Sequence, residues 1–107
     1  MDRAKALELW LDEIGDVTYA YDFSGKKIKM DDYLVNNEVG WVVGYVKPLE
    51  LGGKKEKGNI MIMHHRTMDE KGQNFPEFYI GHIHYQCVHD KKLDYYYIEQ
   101  VFDDEDD

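Results

Sequence analysis

Five histidines and one cysteine are the side chains in this sequence best suited to holding a metal or passing a proton. His64 and His65 stand together before a polar stretch, and His82 and His84 alternate along a run that reads as a strand, which puts both on one face. Such pairs make a zinc site conceivable, since zinc takes four tetrahedral N and S ligands. The expectation is nevertheless surface or partly buried structural histidine, with no metal and no cofactor. Cys87 is single and can form no internal disulfide, which fits a reducing cytosol and a cytoplasmic protein. Lys54, Lys55 and Lys57 lie in one loop, but Glu56 interrupts them and no arginine accompanies them, so they read as a solvated loop. Tyr95, Tyr96 and Tyr97, with Tyr79 and Tyr85, are a different kind of signal. Tyrosine is enriched at protein interfaces. Joined to the acidic end Asp103, Asp104, Glu105, Asp106 and Asp107, the tyrosine run is the expected binding surface.

Charge narrows the classes of partner. The 107 residues carry a net charge of −9, unevenly spread. Residues 1–25 hold six acids and two bases, residues 26–57 five acids and seven lysines, and residues 58–107 eleven acids and four bases. Most of the surface would repel phosphate, and non-specific DNA binding rests on phosphate neutralisation. A protein partner is expected, and direct nucleic-acid binding is not. No apolar run has the length of a membrane span and no signal-peptide pattern opens the chain.

The elements that must position these residues read as α+β. Asp2 caps a first helix in which Leu7, Trp10, Leu11 and Ile14 recur at helical spacing until Gly15 stops it. Residues 17–23 read as a strand, Ser24-Gly25 as a turn, 27–30 as a second strand and 31–39 as loop. Residues 41–47 form a strand closed by Pro48, and Gly52-Gly53 opens the lysine loop. Residues 59–63 are short and apolar, and Thr67-Met68-Asp69-Glu70 has the spacing of a capping box, so a short helix is expected to start at Thr67. Residues 78–87 read as one strand, with Tyr79, Ile83, Tyr85 and Cys87 on one face and His82, His84 and Gln86 on the other. His89 to Lys92 reads as a turn into a second strand over 93–102, completing a C-terminal antiparallel β-hairpin. Residues 1–102 read as a single domain and 103–107 as a disordered acidic tail.

The order Trp41, Pro48, Gly52-Gly53, Asn59-Ile60, then a polar helix ending in Lys71 resembles the ββα-metal core of HNH endonucleases. Tyr21-Asp22-Phe23-Ser24-Gly25-Lys26 and the stretch from Thr67 to Pro76 resemble the flanks of one bacterial and phage subgroup. The resemblance covers roughly residues 5–100. It implies a metal-binding Asp and a general-base His at the end of the first core strand, and a second metal ligand nine residues after the structural asparagine. This chain has Gly44, Tyr45 and Met68 there, while Asn59, which braces the core loop, remains. Glycine offers Mg²⁺ no side-chain oxygen, and a thioether is a soft, poor ligand for it. Tyrosine, with a reference pKa of about 10, is a weak base at neutral pH.

The resemblance therefore implies a catalytically inactive HNH-like protein. The expected role is a protein-binding inhibitor or regulator of a nuclease or nucleic-acid-binding complex. Small acidic phage proteins act in this way against bacterial nuclease defences, CRISPR systems among them, and a phage origin would place the chain in the host cytosol. That step is one of analogy. Two alternatives carry different chemistry: a divergent HNH endonuclease with ligands relocated to His64, His65 or Asp69, and a non-cutting DNA-binding accessory module that uses the lysine loop.

Overall fold

The computed structural model describes residues 1–102. The expected acidic tail, including Asp103, Asp104 and Glu105, lies outside the described residues. The architecture is α+β, with two α-helices and three small sheets among the described residues. By internal contacts the chain gathers into two compact units: Met1–Gly44 with Met61–Asp69, and Tyr45–Ile60 with the chain from Glu70 onward. Among the described residues no helix is long and apolar enough to cross a membrane.

The first unit is built on two tryptophans. Helix α1 spans Arg3–Glu13, and Asp2 caps it by accepting from the Lys5 amide at 2.8 Å. Its buried face is Ala6, Leu9 and Trp10, a step round from the expected Leu7–Trp10–Leu11–Ile14 face, and Leu11 is 48% exposed. The shift follows from Trp10, whose ring lies 5.1 Å from that of Trp41 with the small Ala6 buried one turn before it. Tyr33 flanks Trp41 on another side at 4.9 Å. Both indole N–H groups are used, Trp10 on the Val17 carbonyl and Trp41 on the Met30 carbonyl. Strands β1 (Tyr19–Tyr21) and β2 (Lys27–Lys29) pair antiparallel, shorter than the sequence suggests. Gly25, at φ +92°, makes the turn between them.

Strands β3 (Trp41–Tyr45) and β4 (Ile60–His64) pair, and helix α2 (His65–Lys71) follows directly, a strand–strand–helix order. Helix α2 begins two residues before the expected capping box. The Thr67 hydroxyl is spent elsewhere, on Asp22, and the His64 ring caps instead: its Nδ1 accepts from the Arg66 amide at 3.0 Å. Nε2 must then carry the proton that it donates to the Glu38 carbonyl at 2.9 Å.

The second unit holds a three-stranded antiparallel sheet, β5 (Glu77–Ile80), β6 (Ile83–Asp90) and β7 (Tyr95–Gln100), in that order. The single strand expected over 78–87 is thus a hairpin. Gly81, at φ +60°, occupies the first central position of a two-residue turn between Ile80 and Ile83, where a II′ turn requires glycine. The turn also reassigns the faces. Phe78 and Ile80 point inward with Tyr85 and Cys87, while Tyr79 points outward and stacks on His84 at 4.6 Å. The next turn lies at 91–94, two residues later than expected, and leaves His89 inside β6. It is held by Asp90 Oδ1, which accepts from the Lys92 and Leu93 amides, and by Asp94 at φ +54°.

Candidate functional site

Within the described residues, the positions singled out by the sequence can be placed. Gly44, on β3, has no room for a side chain. A Cβ built there would stand 2.5 Å from Met68 Sδ and 3.3 Å from Met63 Cε. Where the family resemblance implies a carboxylate and a second ligand, this chain packs two methionines, and such thioethers do not fit a hard divalent cation. Tyr45 is half-buried at the end of β3, and its hydroxyl makes no hydrogen bond among the described residues. Of the proposed relocated ligands, His64 has both ring nitrogens engaged, His65 Nε2 meets the Asn37 carbonyl at 2.6 Å, and Asp69 is exposed.

Asn59 is 3% exposed and works as a brace in the second unit. Its Oδ1 accepts from the Lys47 amide at 2.8 Å, and its Nδ2 donates to the carbonyls of Lys47 and Lys54 at 2.9 and 3.0 Å. Gly53 must be glycine for this closure, because a Cβ there would overlap the Lys47 carbonyl.

No protein-family model, no curated protein and no solved structure matches this chain. Its chemistry is therefore read from its own geometry.

The three consecutive tyrosines do not form one surface. Cross-strand partners share a face, so the register places Tyr97 with Val88, Tyr95 with Asp90 and Glu99 with Gln86 on the solvent side. Tyr95 and Tyr97 lie 5.8 Å apart there. Tyr96 belongs to the opposite face, where it stacks on His89 at 4.5 Å. Adding β5, the solvent face of the sheet carries Tyr79, Tyr95 and Tyr97 among Glu77, Glu99 and Asp90, with no lysine or arginine at any outward strand position. Two of its acids are held in place, Glu77 by His84 at 2.7 Å and Glu99 by the Gln86 amide at 2.6 Å.

Two buried polar residues went unread in the sequence. Asp22 collects five hydrogen bonds: from the amides of Ser24, Lys26 and His64 at 3.0 Å each, the Ser24 hydroxyl at 2.8 Å and the Thr67 hydroxyl at 2.6 Å. Burial alone would push its carboxyl up, but those donors outweigh it and hold the carboxyl below its ordinary range. The Asp-x-Ser-Gly pattern of a turn was the available signal, and it says nothing of Thr67. Lys71 is fully buried, its Nζ donating to the Asn74 carbonyl at 3.3 Å and lying 5.4 Å from the Phe78 ring centre. Burial pulls its ammonium below the usual lysine range.

Proposed function

We propose that this chain is a non-catalytic protein on a ββα-metal-like core, an inhibitor or regulator that binds a basic, nucleic-acid-handling surface of a nuclease complex. The observation that carries the reading is the solvent face of the β5–β6–β7 sheet. It combines three exposed or half-exposed tyrosines with three carboxylates and no competing lysine or arginine. Aromatic anchors ringed by fixed acids complement a basic cleft in both shape and potential. The methionine packing at Gly44 supports the non-catalytic half of the proposal, because a metal-bound water needs hard oxygen or nitrogen donors to hold its ion.

The test has two arms. Purified protein with Mg²⁺, Mn²⁺, Ni²⁺ or Zn²⁺ should leave plasmid and single-stranded DNA intact. Reproducible cutting that disappears in His64→Ala or Asp69→Ala would replace this reading with the relocated-ligand nuclease. In the second arm, a partner captured from a bacterial lysate and identified is measured by binding kinetics over a salt series. Association should slow as salt rises, since attraction beyond about 8 Å is screened at physiological ionic strength. Tyr79→Ala and Tyr97→Ala should cost about 2 kcal/mol at a true anchor. A partner indifferent to salt, to both tyrosine changes and to Glu77→Lys with Glu99→Lys would remove this face from the account.

A further inference from the structure

The second unit contains a cleft of about 200 Å³ on the side of the sheet away from the acidic face, lined by Lys47, Gly52, Lys54, His89, Asp94 and Tyr96 among others. Lys47 is its unusual member. It is half-buried, its Nζ lies 5.7 Å from the Phe75 ring centre, and no carboxylate or carbonyl accepts from it among the described residues. An ammonium carries three donors, and none of those on Lys47 meets a protein acceptor among the described residues. Lys54, exposed among the lining residues, adds a second cation without an ion-pair partner among the described residues.

Neither lysine is placed by chance of a loose loop. Asn59 holds the backbone of both, Lys47 through its amide and carbonyl and Lys54 through its carbonyl. One buried amide thus ties together the backbone from which two cations extend. Across the cleft Tyr96 stacks on His89, and His89 Nε2 meets Asp94 Oδ1 at 3.0 Å, so that carboxylate is already engaged. Glu56 is exposed at the edge and screened by water.

We infer that this cleft binds one compact oxyanion, a phosphate or carboxylate group of side-chain size, on Lys47 and Lys54 against the Tyr96–His89 wall. Its volume is below the range of roughly 300–1,000 Å³ usual for whole drug-sized ligands, which restricts the occupant to a single group. Lysines act as point charges and accept either anion, whereas a fork of arginine would have selected a planar carboxylate. The site is separate from the acidic face, so it stands or falls independently of the proposed partner.

The experiment is an amide-resolved NMR titration of the whole chain with inorganic phosphate and, in parallel, with acetate, at constant ionic strength and pH up to tens of millimolar, with chloride as the control. Saturable shifts confined to residues 52–54, 89 and 96 are expected with at least one oxyanion, and comparison of the two series says which. Lys47→Gln and Lys54→Gln should each weaken binding about tenfold, the loss of one charge-assisted contact. Lys54 is exposed, so its variant folds regardless of what Lys47→Gln does. Shifts that never saturate, that chloride reproduces, or that survive unchanged in Lys54→Gln and in a folded Lys47→Gln would overturn the inference.

Discussion

Replacing Asp22 by alanine is the sharpest test of how the first unit is held. Of the five donors aimed at this carboxylate, the His64 amide and the Thr67 hydroxyl make bonds that are themselves buried. Removing the acceptor strands the His64 amide, at roughly 1–3 kcal/mol, whereas the Thr67 hydroxyl can still turn to Ser24 Oγ, 3.1 Å away, and loses less. The three bonds from Ser24 and Lys26 are part-buried and recover much of their loss from solvent. The expected cost is therefore about 3 kcal/mol, a large share of the roughly 5–15 kcal/mol that holds an ordinary domain together. Asp22→Asn separates charge from shape. The carboxyl is depressed in the folded state, so its contribution is fully present above the unfolded carboxylate range and is lost as pH falls through the folded value. Wild-type stability should decline over that acidic window, and the asparagine variant should show a shallower decline. Urea unfolding followed by circular dichroism at neutral and acidic pH measures both quantities. An alanine variant that loses less than about 1 kcal/mol, or an asparagine variant with the full acid slope, would refute the reasoning.

Three further outcomes follow from the same geometry. Asn59→Ala removes three part-buried bonds and should cost about 2 kcal/mol in urea unfolding, with amide exchange rising first at Lys47. Gly44→Asp should cost about 2 kcal/mol through overlap with Met68, and Met68→Ala in the same chain should return part of it, a coupling that a double-mutant cycle reads directly. Lys71→Met should leave the protein at least as stable at neutral pH, since burial penalises the ammonium. The folded ammonium titrates below its ordinary 10.5, so the unfolded chain binds more protons in that alkaline window. Wild-type stability should rise with pH there relative to the methionine variant, as paired urea midpoints would record.

The parts of this fold that were legible in the sequence are those set by neighbours along the chain. Asp2 and Gly15 bound α1, and Trp41 opens β3. The misreadings share a cause in contacts distant in sequence. Thr67 looks like a cap until Asp22, forty-five residues away, claims its hydroxyl. Gly81-His82 interrupts an apolar alternation that periodicity alone carries straight through, and the alternation of Tyr95, Tyr96 and Tyr97 only acquires faces once β6 supplies a register. Lys71 figures in the sequence only as the end of the polar helix, and nothing local announces its burial.

The distribution of tryptophan and cysteine gives the molecule a natural pair of reporters. Both tryptophans, Trp10 and Trp41, lie in the first unit, and the single thiol, Cys87, is buried in the second with its Sγ 3.9 Å from the Val46 carbonyl. Indole emission therefore follows the melting of one unit while the alkylation rate of Cys87 follows the opening of the other, without any label being introduced. Burial also raises the Cys87 thiol, so background labelling of the closed state is slow. Coincident transitions by the two signals would make the chain one cooperative body, and separated ones would give each unit its own free energy of opening.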